Sequence, residues 1–115
     1  MNVELTASKI NAQVNLLALS GRLAVETEAQ VRPVIMQAIK QSPHGLILDL
    51  KAVNFVSSAG LRLLLEVYKN AASSGTKIAM IHPQPETYKL LKLASLDVTF
   101  SVHESEEEAI KAIGL

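Results

Sequence analysis

Apolar positions follow two rhythms along this chain, a strand-like one and a helical one, and they alternate. Val14, Leu16, Leu17 and Leu19 form an apolar run that stops at Gly21, which reads as a strand with its turn signal. The weaker alternation of "VELTAS" before it predicts an edge strand, close enough to form a hairpin with "KIN" near the turn. Val31, Val34, Ile35, Ala38 and Ile39 then recur at one-face helical spacing. Thr27 to Gln30 has a capping-box pattern at the head of that helix. Pro33 either delays the regular helix towards Arg32 or kinks it, because it removes a backbone donor. "SPHG" breaks the chain, and the nearly continuous apolar run Leu46–Leu50 predicts a strand covered on both faces.

A second helix is expected from about Ser58 to Ser73, with Leu61, Leu64, Leu65, Tyr68 and Ala72 as its core stripe. Leu63 and Val67 widen that stripe beyond what packing on one sheet requires, which offers them to an outer docking surface. Gly75 suits the left-handed stop of that helix. "TKIAMIH" reads as a strand, Pro85 as the first turn of a helix "PETYKLLKLAS", "VTFSV" as a last short strand, and "SEEEAIKAI" as a terminal helix. Ser105 and Glu108 form a second capping box there. Acids fill its first turn and Lys111 lies near its end, as the helix dipole favours, so the Glu106–Glu108 run needs no other role.

The expected order is β-β-α-β-α-β-α-β-α. Strands alternating with helices after the first hairpin imply an α/β fold with a mixed, mostly parallel sheet of about five strands and about four helices. No linker, repeat or low-complexity run divides residues 1–115, so a single domain is expected. Composition narrows the function. Eleven basic and eleven acidic residues give a net charge of +0, which argues against broad nucleic-acid or anionic-membrane binding. No cysteine is present, which excludes disulfides and thiol catalysis and permits a cytoplasmic location. The mean hydropathy is +0.25, yet no apolar run approaches the ~18 residues of a membrane span. The N-terminus has no basic-then-apolar signal pattern.

Candidate chemistry concentrates in "NFVSSAGLRLLL", Asn54 to Leu65. Ser58, Ala59 and Gly60 resemble half of a nucleophile elbow in a strand–turn–helix setting, but Val56 stands where that motif needs glycine. His44, His82 and His103 would have to supply a base and Asp97 an orienting acid. The histidines have no ligand spacing, so no metal is expected. Gly60 stands outside any phosphate-cradling glycine pattern, and no cofactor is expected. Asp49 as a receiver-type phospho-aspartate would need a carboxylate on the strand "AQVNLLALSGRL", which has none, so it reads as a strand-end hydrogen-bonding group. One serine of the pair can serve as an N-cap. The other would stand exposed at a helix N-terminus, where a phosphate is tolerated and adds a charge of about −1.5 to −2.

From "LILDLKAVNFVSSAGLRLLLEVYKNAASSGTKIAMIH", supported by "LALSGRL" before it and "YKLLKLASLDVTFSVHESEEEAI" after it, the chain resembles a STAS domain of the anti-sigma factor antagonist family over nearly its whole length. The resemblance implies a binding protein and phosphorylation substrate rather than an enzyme. In that family a serine at the start of this helix is phosphorylated by a kinase-type anti-sigma factor that uses ATP. The unphosphorylated form binds that kinase and frees a sigma factor, and a PP2C-type phosphatase restores it. Aligning Gly60 on the glycine of the family's D-S-[ST]-G pattern places Ser58 on the acceptor, Ala59 on the second hydroxyl residue and Ser57 on the acid. Ser57 is thereby a second candidate acceptor, and Ser57, Ser58, Ala59, Gly60, Leu61 and Arg62 are the expected partner-binding residues. Ala24 likewise stands where the family often has an acid after the second strand. The resemblance implies a cytoplasmic protein without direct nucleic-acid contact. The alternative within the same fold is an accessory subunit of a lipid-transport or other non-sigma signalling complex.

Overall fold

The computed structural model describes residues 4–10 and 14–114. Five strands form one sheet in sequence order: β1 (Glu4–Lys9), β2 (Val14–Leu23), β3 (Gly45–Val56), β4 (Lys77–Ile81) and β5 (Val102–His103). β1 runs antiparallel to β2, and β2 through β5 are parallel. The helices are α1 (Val25–Lys40), α2 (Ser58–Ser74), α3 (Pro85–Leu93), α4 (Leu96–Phe100) and α5 (Glu106–Ile113). The hairpin expected between β1 and β2 forms, and the Ile10 N–H donates to the Val14 carbonyl at 3.0 Å. Of the "KIN" turn, Asn11 lies outside the described residues.

Side chains on the central strands point alternately to two cores, as a period of two requires. Leu17, Leu19, Leu46, Leu48, Leu50, Ile78 and Met80 face the larger core with Val31, Ile35 and Ile39 of α1 and Leu63, Leu64 and Val67 of α2. Val14, Leu16, Ile47, Ala79 and Ile81 face the smaller one under Ala109 and Ile113 of α5. The apolar run 46–50 is therefore a strand covered on both faces.

Four local expectations change. First, α1 begins at Val25 with Ala24 as N-cap, so Thr27 is its third residue rather than its cap. The Thr27 hydroxyl accepts from the Ala24 N–H at 3.1 Å and donates to the Arg22 carbonyl at 2.6 Å. It supplies the reaching-back half of a capping box whose cap residue has no side-chain acceptor. Second, α1 continues through Pro33. Pro33 and Ala29 are both exposed, so water can satisfy the carbonyl that proline leaves unpaired.

Third, residues 98–100 are helical, not part of a strand. Leu96 and Phe100, four apart, both point inward, and Phe100 meets Tyr68 edge-on at a centroid distance of 5.6 Å. Left-handed Ser95 and Ser101 bracket that turn, which leaves β5 only two residues. Fourth, the buried stripe of α2 is Gly60, Leu63, Leu64, Val67 and Ala71. Leu65 and Tyr68 are partly exposed and Ala72 is exposed, so the core face is rotated from the expected one, and Leu63 and Val67 belong to the core. α2 packs against α1 as well as against the sheet, so its inward face is set by two neighbours.

Candidate functional site: the head of helix α2

β3 outruns its neighbour. Its pairing with β4 ends at Asp49, while its pairing with β2 continues to Val56. Along that extension the β2–β3 register slips twice, between Ala18 and Ser20 and again between Gly21 and Arg22. Each slip places an extra residue on β3, and bulges of this kind bend a strand and change the direction in which the chain leaves it. Gly21, at φ 97, supplies a backbone conformation that L-residues avoid. Asp49 itself accepts from the Lys51 N–H at 3.0 Å, consistent with a hydrogen-bonding role.

The redirected strand delivers Ser57 to the end of β2. The Ser57 N–H donates to the Leu23 carbonyl at 2.9 Å, and the Ser57 hydroxyl lies 3.4 Å from the same oxygen. Ser57 is the N-cap of α2, and its Oγ accepts from the Gly60 N–H at 3.2 Å. That bond satisfies one of the orphan donors at a helix start. Gly60 is buried against this joint. A Cβ at Gly60 would stand 2.3 Å from the Leu23 carbonyl oxygen and 2.9 Å from its carbon. The glycine of "SSAG" is needed for close approach of α2 to β2, not for a left-handed turn.

Ser58 is the first residue of α2 and is exposed, and its hydroxyl makes no hydrogen bond among the described residues. Ala59 and Leu61 are half-buried and Arg62 is exposed. The expected residues 57–62 thus share the first turns of one helix but split by role. Ser57 and Gly60 build the turn, while Ser58 and Arg62 face outward. Leu61, Arg62 and Leu65 also line a shallow apolar cavity of about 170 Å³ with Ala94 and Leu96.

Neighbours that the sequence pattern did not single out complete the surroundings. The Arg22 guanidinium lies 4.1 Å from the centroid of the Phe55 ring, the residue it pairs with across β2 and β3. Its Nε also donates to Glu26 at 2.9 Å. The Glu26 carboxyl sits below its ordinary pKa, first because it accepts from its own backbone N–H in the first turn of α1, then because of Arg22. Arg32 of α1 pairs with both Glu28 and Glu66, linking α1 to α2. Its hydrogen bonds to Glu66 and then to Glu28 raise the Arg32 pKa further. The only sequence clue to the Arg22–Phe55 stack would have been the β2–β3 register, which the bulges conceal.

No catalytic arrangement is assembled around Ser58 among the described residues. His44 Nε2 contacts the Ile113 carbonyl at 3.2 Å, at the end of α5. His103 bonds to the Ser101 hydroxyl, and with His82 it lines a separate cavity at the ends of β4 and β5. Among the described residues no cluster of His, Asp and Glu is suited to hold a metal ion. Among them, too, no helix is long and apolar enough to cross a membrane.

The five-stranded mixed sheet with its helices, and the sequence that builds it, match one domain family. The family model for the STAS domain matches residues 7–109. The chain belongs to the STAS domain family. It is 30% identical over 99 residues to the anti-sigma F factor antagonist of Paenibacillus polymyxa, covering 84% of each chain. The crystal structure of an anti-sigma factor antagonist from Mycobacterium paratuberculosis superposes with a TM-score of 0.83 at 25% identity, over 97% of this chain and 94% of that one. The fold is also that of the anti-sigma factor antagonist SpoIIAA in its unphosphorylated form, with a TM-score of 0.75 at 24% identity over 96% of each chain. SpoIIAA of Bacillus is known in a phosphorylated form as well, with a TM-score of 0.69.

Proposed function

We propose that this chain is an anti-sigma factor antagonist that acts as a phosphorylation-controlled binding module. The observation that carries the reading is the division of labour between the two serines. Ser57 is held in the cap, whereas Ser58 presents a hydroxyl that no described group engages. Unphosphorylated, the head of α2 docks on a kinase-type anti-sigma factor through Ser58 and Arg62, with Ala59 and Leu61 beside them and Ser57 and Gly60 holding the turn in place, and a sigma factor is released. The kinase then transfers the terminal phosphoryl group of ATP to Ser58 Oγ. A new P–O bond forms, ADP departs with the electrons of the broken one, and the hydroxyl proton passes to a base on the kinase. The modified serine carries a charge of about −1.5 to −2 at the interface itself, so no internal rearrangement is needed. A loss of ~4 kcal/mol on docking weakens affinity about a thousandfold, which is enough for a switch. A PP2C-type phosphatase hydrolyses the ester and resets the module in the cytoplasm. The chain is substrate and ligand in this cycle and catalyses neither step.

The test is incubation with the cognate kinase and ATP, then mass spectrometry of the wild type, Ser58→Ala and Ser57→Ala. Labelling of the wild type and Ser57→Ala, with none in Ser58→Ala, is expected. Equal labelling of all three removes Ser58 from the mechanism, and no labelling of any removes the phosphoswitch with that kinase.

A further inference from the structure

We infer that Arg62 is the counter-charge of a phosphate on Ser58. When Ser58 is modified, the Arg62 guanidinium pairs with the phosphate one helical turn away. That withdraws the positive charge that the unmodified face offers to a docking partner. The inference rests on the proposed phosphorylation of Ser58 and adds how the modified state is held.

Two of the three arginines are already engaged. Arg22 pairs with Glu26, and Arg32 pairs with Glu28 and Glu66. Arg62 is exposed and has no carboxylate partner among the described residues. On a helix its neighbours are the residues three and four away, which are Ser58 and Ala59 behind it and Leu65 and Glu66 ahead. Glu66 is the one carboxylate in that set, and it is drawn across to Arg32 of α1. The first turn of α2 contains no acidic residue. Of these neighbours on the helix, Ser58 is the one left that can acquire negative charge.

Direction favours the same pairing. The Cα–Cβ bonds of a helix tilt towards its N-terminus, so the Arg62 side chain leaves its backbone in the direction of the turn that holds Ser58. An anion four residues before a cation is also the better of the two orders on a helix. The planar fork of a guanidinium matches phosphate oxygens bidentately, which a hydroxyl cannot reciprocate. Before modification Arg62 stays free for a carboxylate on the docking partner. Afterwards it is occupied within its own helix.

Phosphoserine can be installed at Ser58 by genetic encoding, with no kinase involved, in the wild type and in the Arg62→Gln background. Phosphorus NMR from about pH 4 to about pH 9 then reads the second ionisation of the phosphate, ordinarily near 6. In the wild-type background that ionisation should lie below its ordinary value, and Arg62→Gln should raise it by about 0.4 unit. Arg62→Lys should recover part of the shift, and Lys69→Gln, farther along α2, should leave it unmoved. An ionisation unchanged by Arg62→Gln, or moved as much by Lys69→Gln, overturns the pairing. Failure of a kinase to label Ser58 would instead count against the proposed function alone, because this measurement does not depend on labelling.

Discussion

Gly60→Ala tests how tightly the head of α2 is seated on β2. The added Cβ would lie 2.3 Å from the Leu23 carbonyl oxygen, 2.9 Å from its carbon and 3.0 Å from Val56 Cγ1. The first two are backbone atoms of a paired strand and cannot swing aside as a side-chain tip can. Reaching an ordinary contact requires the first turn of α2 to retreat by about 1 Å. That movement stretches the 2.9 Å bond from Ser57 N–H to Leu23 well past hydrogen-bonding range. Losing one such bond costs about 1 kcal/mol, and overpacking a close-packed joint costs about 1–3 kcal/mol more. The intrinsic helix preference of Ala over Gly offsets about 1 kcal/mol of this. The net expectation is a loss of about 1–3 kcal/mol, or roughly 4–12 °C in melting temperature for a domain of this size. Urea unfolding monitored by far-ultraviolet circular dichroism measures the loss, and amide NMR shifts centred on Leu23 and Ser57 locate it. Gly75→Ala is the control. At φ 77 with no atom within 4 Å of the added Cβ, it carries backbone strain without a clash. A Gly60→Ala protein as stable as the wild type would refute the close-approach argument.

The same geometry sets three further outcomes. Leu63→Ala should cost about 2–5 kcal/mol and Leu65→Ala under about 1 kcal/mol, because Leu63 is 1% exposed and Leu65 39%; similar urea midpoints would contradict the assigned core face. Ser57→Ala should cost about 1 kcal/mol by removing the acceptor for the Gly60 N–H, and Ser57→Asp should restore it, as read from thermal melts. Because the Glu26 carboxyl is depressed in the folded state, its stabilisation is complete above its unfolded value near 4.5 and fades as pH falls through the lower folded value; Glu26→Gln should flatten that acid limb in melts recorded across it, and an unchanged limb would refute the assignment.

Much of this architecture was legible because local rules and tertiary packing agree. The apolar run at Leu46–Leu50, the Gly75 stop, the Ser105 cap and the Pro85 start each specify their element locally, and each holds. Elements whose form is decided by a distant partner were not legible. "VTFSV" has strand-forming residues, but the pocket that accepts Phe100 beside Tyr68 requires Leu96 and Phe100 on one face of a helical turn. The stripe of α2 could be drawn through Leu61, Leu65 and Tyr68 or through Leu63, Val67 and Ala71 with nearly equal periodicity. Packing of α2 against both α1 and the sheet selects the second. At the site, the serine pair was visible in the sequence, but which serine caps was not. That depends on Leu23, thirty-four residues earlier in the chain, reaching Ser57 through a doubly bulged strand.

Ala24 and Ser57, the two positions where the resemblance implies an acid, occupy equivalent places in this fold. Ala24 is the N-cap of α1 and Ser57 is the N-cap of α2. Both positions where the resemblance implies a carboxylate are therefore helix starts, where an acid both accepts an orphan N–H and offsets the positive end of the dipole. This chain keeps the first function at both starts and loses the second at the head of α2. At Ser57 a hydroxyl replaces the carboxylate as acceptor. At Ala24, Thr27 supplies a hydrogen bond from inside the helix instead. Neither substitute carries charge. Glu26 and Glu28 remain in the first turn of α1, paired with Arg22 and Arg32, whereas the first turn of α2 has no acid at all. The surface around Ser58 thus combines a largely uncompensated helix N-terminus with Arg62, which has no carboxylate partner among the described residues. An unphosphorylated face of this kind favours a partner that brings carboxylates to it, and a phosphate on Ser58 would neutralise that attraction at its centre.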